Sequence, residues 1–307
     1  MTFGVHHWVI LGTALFLSQG QAIANPGHQH QSSALTIAQA EPAASPVVVE
    51  TETVETGEMI MPILADVDRL KAIERYNAGV DKLTAGDFAG AIAEFTAALG
   101  FDPGDADTFY NRGYSYHVLG QYEAALNDYG SAIELNPEFA DAYGNRCYAA
   151  YLLKNYEQAL ADCEAAIALK DDNPDFLINR GNAYDDLAVI ASADADQELA
   201  QEYHEKAIAD YDAAIELRPD HAKAYYNRAL AHNRLGNNTA AIADYTASIE
   251  RNSQFAEAYF NRGITHYKLD QTEQAIADFQ QAAQIFAEKN QIENQAQALE
   301  ILDSLQP

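Results

Sequence analysis

At 307 residues the chain has room for two ordinary domains, or for one elongated repeat domain with tails. Its 46 acidic residues against 18 basic ones give a formal net charge of −28. That excess repels nucleic acid and anionic lipid at long range, so neither is expected as a partner. Only two cysteines occur, with no C-x-x-C spacing, no phosphate loop and no Gly-rich dinucleotide turn. No cofactor, no small-molecule substrate and no enzymatic activity are expected.

The first 24 residues contain no Asp, Glu, Lys or Arg, and carry the apolar run Trp8 to Leu17 followed by Ala22-Ile23-Ala24. A short apolar run before small residues is the pattern of a secretory signal. It falls short of the about 20 residues that cross a bilayer as a helix. The expectation is a signal peptide over 1–24 and a chain exported to periplasm, lumen or extracellular space. The rival is an uncleaved membrane anchor, because a signal ordinarily begins basic and the first Lys or Arg here is Arg69. Residues 25–65 are rich in Gln, Ala, Pro, Ser, Thr and acids without helical periodicity, and read as a disordered linker. Within it His28 and His30 read as polar filler rather than as metal ligands.

A fixed period governs the rest of the chain. Asn77, Asn111, Asn145 and Asn179 stand 34 residues apart, Asn227 follows after 48, and Asn261 after another 34. Ala91, Ala125, Ala159, Ala207, Ala241 and Ala275 repeat the same steps, which places 14 extra residues between Asn179 and Ala207.

One period carries the fullest pattern: Phe109, Arg112-Gly113, Tyr116, Ala125, Tyr129, Ala132 and Pro137. This spacing resembles the tetratricopeptide repeat family. The resemblance implies an all-α, right-handed superhelical solenoid of helix-turn-helix repeats. Six are expected, at 72–105, 106–139, 140–173, 174–221, 222–255 and 256–289, within an array over 66–289. A capping helix is expected over 290–307. The extra residues, around Ala188 to Gln201, are expected to add about two turns to each helix of the fourth hairpin, with Ala191 to Asp196 as the protruding turn. Gly79, Gly113, Gly181 and Gly263 are small where paired helices approach closely. Phe95, Tyr129, Tyr211, Tyr245 and Phe279 are expected to fill the wider spaces between hairpins.

The Asn column, at one phase of every first helix, is the leading site candidate. An amide donates and accepts together, which suits the backbone of an extended peptide. The family resemblance implies that this phase faces a concave groove, so Asn77, Asn111, Asn145, Asn179, Asn227 and Asn261 are expected to hold peptide. Tyr110, Tyr114, Tyr148, Tyr151, Tyr226 and Tyr267 are expected beside them, offering large contact area and a polar tip. The competing reading is that the amides satisfy local backbone or neighbouring-helix groups. The Lys that a carboxylate-gripping clamp would need is replaced by Tyr76, Tyr110, Gly144, Ile178, Tyr226 and Phe260, so an acidic carboxy-terminal peptide is not the expected ligand.

A second column reads as structural. Arg112, Arg146, Arg180, Arg228 and Arg262 recur with Asp128, Asp162, Asp210, Asp244 and Asp278, and the first repeat lacks both, with Ala78 and Glu94. Joint presence and joint absence predict ion pairs tying the helices of each hairpin. Cys147 stands in the small column and Cys163 in the aromatic column of one repeat, so a disulfide is possible between them. The functional expectation is a protein-interaction scaffold for an extended, neutral-to-basic peptide segment, assisting assembly of a complex outside the cytoplasm. The alternatives are a structural subunit without exchangeable ligand, or a membrane-tethered assembly factor.

Overall fold

The computed structural model describes residues 60–305, with side chains from Val67 onward, and everything described is helix or short turn. The expected signal peptide and most of the expected linker lie outside the described residues. Two compact units divide near residue 171. The first holds α1 (Ile60–Thr84), α2 (Phe88–Phe101), α3 (Ala106–Val118), α4 (Tyr122–Leu135), α5 (Ala140–Leu152) and α6 (Tyr156–Leu169). The second holds α7 (Pro174–Ala193), α8 (Gln197–Leu217), α9 (Ala222–Arg234), α10 (Asn238–Arg251), α11 (Ala256–Lys268), α12 (Thr272–Glu288) and α13 (Ile292–Leu305). The first helix starts at Ile60, so the last six residues of the stretch read as linker, 60–65, are helical. No described helix is long and apolar enough to cross a membrane.

Helices pack in consecutive pairs: α1 with α2, α3 with α4 and α5 with α6 in the first unit; α7 with α8, α9 with α10 and α11 with α12 in the second. One backbone device closes every pair. The second residue after the first helix of the pair takes a left-handed conformation, at Gly86, Gly120, Lys154, Ala195, Gly236 and Asp270. Only three of these are glycine, which is the one residue without a steric penalty there. Asp or Asn side chains then cap several following helices, as Asp87 does for the amide of Gly90, Asn155 for Gln158 and Asp196 for Leu199.

Small residues set how closely paired helices approach. A Cβ on Gly113 would sit 3.1 Å from the Tyr129 ring, and one on Gly181 would sit 2.8 Å from the ring of Tyr211. The large aromatics thus lie over the glycine of their own hairpin, so they fill the seam within a pair as well as the space between pairs. Tyr129, Tyr211, Tyr245, Phe95 and Phe279 are all buried, and burial of such side chains is worth about 1.5–3 kcal/mol each. The pair α7/α8 is the longest, with 20 and 21 residues against 13 and 14 in α3/α4.

Candidate functional site

The first unit builds its interior ladder from two columns. Asn111 Nδ2 donates to the Tyr76 hydroxyl at 3.1 Å, and Asn145 Nδ2 donates to that of Tyr110 at 3.0 Å. Each bond reaches back 35 residues, one repeat plus one position, and so joins successive pairs. Phe139 packs on the Tyr110 ring at 4.7 Å. Tyr110 is 5% exposed and Asn111 1%, and burial pushes the Tyr110 phenol well above its ordinary range. These two residues present nothing to a ligand.

The second unit repeats the device once and varies it once. Asn261 Nδ2 donates to the Tyr226 hydroxyl at 3.0 Å, with Phe255 against the Tyr226 ring. Residue 178 is Ile, so Asn227 has no phenol one repeat back. It donates instead to Asn182 Oδ1 at 2.8 Å, which also accepts from the Tyr211 hydroxyl. Asn261 is buried and its amide is doubly engaged, to Tyr226 and to the Glu257 carbonyl. The expectation that all six asparagines and all six tyrosines line a ligand surface is therefore corrected. Asn111, Asn261, Tyr110 and Tyr226 bind successive helix pairs together, because an interior amide needs a partner and the phenol of the preceding pair supplies one.

The remaining candidates stay within reach of solvent. Asn77 is exposed, while Asn145, Asn179, Asn227, Tyr114, Tyr148, Tyr151 and Tyr267 are half-buried, as is the Tyr226 ring whose hydroxyl Asn261 engages. On α3, Asp107, Asn111 and Tyr114 follow at helical spacing. On α5, Asp141, Asn145 and Tyr148 do the same, which aligns both sets on one face of each helix. An aromatic row continues that face: His117 stacks on Tyr148 at 5.3 Å, Tyr148 on Tyr151 at 6.2 Å, and Tyr151 meets Tyr156 at 6.3 Å. Burial and the neighbouring Asp105 raise the Asp107 carboxyl above its ordinary value.

The Arg and Asp columns meet. Arg112 with Asp128, Arg146 with Asp162, Arg180 with Asp210, Arg228 with Asp244 and Arg262 with Asp278 form two-pronged pairs. Their Nε and Nη2 lie 2.6–2.9 Å from the two carboxylate oxygens. A third prong reaches the second helix of the preceding pair: Arg112 Nη1 donates to Thr96, Arg228 Nη1 to Asp212 and Arg262 Nη1 to Thr246. Four of the guanidiniums also lie over a ring one turn back, at Phe109, Tyr143, Tyr225 and Tyr259. One arginine thus ties two helices of its own pair and one of the pair before. In the first repeat, Arg75 pairs with Glu94 at 3.0 Å on the exposed surface.

Cys147 and Cys163 are joined in a disulfide, their Cα atoms 5.3 Å apart and both side chains fully buried. They occupy the slot where neighbouring pairs press an aromatic ring on a glycine, so one close approach serves both solutions. Closing a loop of this size is worth about 3 kcal/mol in chain-entropy terms.

One buried cluster has no counterpart among the expected site residues. Asp185 on α7 lies between His204 of α8, whose Nδ1 is 2.8 Å from Oδ1, and Arg234 of α9, which bonds Oδ2. The corresponding positions in the first unit hold Leu83 with Phe88, His117 with Tyr122 and Tyr151 with Tyr156. The signal in the sequence is the replacement of two apolar or aromatic side chains by an acid and a histidine in the same phase. Among the described residues no group of three or more His, Cys, Asp or Glu could hold a metal.

Helix pairs tied by recurring polar columns define an all-helical repeat scaffold. Models of the tetratricopeptide repeat match residues 106–139 and 256–287, and another matches 222–255; a TPR repeat model matches 195–236. The chain therefore carries tetratricopeptide repeats, a scaffold suited to protein–protein interaction and generally not an enzyme. Among solved structures, MamA from Desulfovibrio magneticus RS-1 is 21% identical, covering 60% of this chain and 97% of that one at a TM-score of 0.52. A thermophilic TPR protein from Thermus thermophilus is 20% identical, covering 64% and 99% at 0.54. A tetratricopeptide repeat protein from Parabacteroides merdae is 22% identical, covering 75% and 85% at 0.55. At these identities the likeness speaks for the fold alone. No curated protein matches the sequence.

Proposed function

We propose that the chain is a scaffold that binds an extended, neutral-to-basic peptide segment of a protein partner along the solvent-reachable face of its first helices, and that it does so outside the cytoplasm. The observation that carries this reading is the row formed by Tyr114, Asn145, Tyr148 and Tyr151. It sets half-buried rings beside a half-buried amide on one helix face. Rigid tyrosines gain contact area at low entropy cost, and amides on the same face can hold a peptide backbone. Export accords with the apolar, uncharged first 24 residues and with a buried disulfide, since disulfides persist in oxidising compartments.

Site-specific photo-crosslinking tests the face without presuming the ligand's chemistry. A photoreactive phenylalanine at Tyr114 or Tyr267 is expected to trap a partner in cells, and the same residue at the exposed Glu123 or Glu216 is not. Adducts from the outer positions alone would place binding elsewhere.

A further inference from the structure

The third pair differs from its neighbours in what it buries. Phe95, Tyr129, Tyr211, Tyr245 and Phe279 put a buried ring on the second helix of every other pair. In α5 and α6 the buried residues are alanines, Gly144, Asp162 and the two cysteines, with no Leu, Ile, Phe or Tyr among them. A ring removes far more apolar area from water than an alanine does, so this seam lacks the main cohesive element of the others. Two lesser ties are weakened as well. The prong that Arg112, Arg228 and Arg262 extend to Thr96, Asp212 and Thr246 finds only Gly130 beside Arg146, with no side chain to bond. The turn that closes the pair is left-handed at Lys154, where the first two pairs place glycine, and a side chain is strained there. From the second pair α5 keeps support, since Ala142 and Ala149 pack with Tyr110 and Tyr129 and Asn145 donates to Tyr110. Between α5 and α6 the ties are Arg146–Asp162 at 2.6–2.8 Å, the solvent-reachable and weak Lys170–Asp141 pair, and the Cys147–Cys163 bond.

We infer that the Cys147–Cys163 bond is a redox latch for the third pair: it stands in for the missing ring, and α5 and α6 close on each other when it forms and part when it is reduced. To set the latch, one cysteine attacks a disulfide oxidant as its thiolate and forms a mixed disulfide, releasing the oxidant's first thiolate. The other cysteine then attacks that cysteine sulfur and expels the second. Two electrons and two protons leave the cysteines, and one oxidant disulfide becomes two thiols. In the closed pair both sulfurs are fully buried and so shielded from thiol reagents. The state is therefore set as the chain folds, by the redox poise it meets there. Both ends of the cross-link lie in one hairpin, 16 residues apart, so it favours closure of this pair rather than of the whole array. Tyr148 and Tyr151 ride on α5; resting on the peptide-binding reading above, the latch also decides when that face is assembled.

Hydrogen exchange of the full-length protein tests the latch with no partner present, and so independently of peptide binding. The protein is refolded from urea either in a mixture of reduced and oxidised glutathione or in dithiothreitol alone. Amides of α5 and α6 are expected to exchange about tenfold faster or more in dithiothreitol, while those of α3, α4, α11 and α12 stay within about twofold. Cys147→Ala with Cys163→Ala should behave like the reduced protein in either buffer. Cys147→Gly with Cys163→Tyr, which restores the ring-on-glycine seam of the second pair, should keep slow exchange in both. Unchanged exchange of α5 and α6 after reduction would overturn the latch. So would faster exchange spread evenly over all pairs, or a reduced chain that does not refold, since either makes the bond a staple of the whole array. Fast exchange in the ring-on-glycine variant would overturn the claim that the bond replaces a ring. Crosslinks from Tyr114, on α3, report on peptide binding separately, so the two readings can fail one without the other.

Discussion

Tyr76 and Asn111, 35 residues apart, meet in the interior with the phenol accepting from the amide at 3.1 Å. The same relation holds between Tyr110 and Asn145, but Asn111 is 1% exposed whereas Asn145 is half-buried. Removing the hydroxyl leaves a buried donor unpaired in the first case and a solvent-reachable one in the second. Tyr76→Phe is expected to destabilise by about 1–3 kcal/mol and Tyr110→Phe by less. Urea unfolding of the two variants decides it; equal losses would mean that burial of the amide does not set the cost.

The arginine column predicts an asymmetry between breaking and replacing a pair. Arg228→Met leaves the buried Asp244 without its partner and should cost about 3 kcal/mol or more. The double change Arg228→Met with Asp244→Leu should recover most of that loss, since well-packed apolar residues often equal a buried pair. Denaturation midpoints of the single and double variants, compared by a mutant cycle, supply the measurement.

Acid should weaken the second unit through Asp185. Burial works against its charge, but Arg234 and His204 outweigh that and hold its pKa below the ordinary value. A carboxylate depressed in the folded state stabilises the fold above its unfolded pKa, about 3.9. That contribution is lost as pH falls through the folded value. Between about pH 5 and pH 3 the wild type should therefore lose more stability than Asp185→Asn, whatever their difference at neutral pH. Parallel slopes in thermal unfolding across that window would refute the linkage.

Two glycines should respond with opposite signs. A Cβ at Gly130 would meet nothing nearer than Arg146 Nη1 at 3.6 Å, so Gly130→Ala should stabilise by about 0.5–1 kcal/mol through helix propensity. At Gly181 the Tyr211 ring is 2.8 Å away, and Gly181→Ala should destabilise by about 1–3 kcal/mol. Thermal midpoints of the two variants give the comparison directly.

Much of the scaffold is legible in the sequence because each repeat restates it. The 34-residue steps of Asn and Ala mark the helix pairs, and the co-occurrence of Arg112 with Asp128 down the chain marks partners that the structure brings together. The role of the Asn column is not legible from its own period. Whether Asn111 meets a peptide or a phenol depends on the residue 35 positions earlier, a relation between neighbouring columns rather than within one. Tyr76, Tyr110 and Tyr226 supply that phenol, and Ile178 does not. The Asp185 cluster is hidden for a related reason: Asp185 and Arg234 belong to different pairs, and the insertion displaces His204 from its expected spacing. The Lys154, Ala195 and Asp270 turns escape a search for glycine, although the backbone makes the same left-handed bend there.

The longer α7/α8 pair carries a consequence for how such an array can grow. A length of about seven residues makes nearly two full helical turns and rotates a face by only about 20°. Adding about that length to each helix keeps Asn179 and Asp210 on the faces their columns occupy elsewhere, and sends the surplus outward to the exposed turn at 194–196. Lengthening by about three or four residues per helix, near one turn, is the other permitted step. Intermediate lengths would swing the buried Ala188, Ala191 and Ala200 out of phase with the seam. Helix pairs of this kind therefore change size in increments, and a graft on the Asp194–Asp196 turn inherits a stalk whose orientation is already fixed.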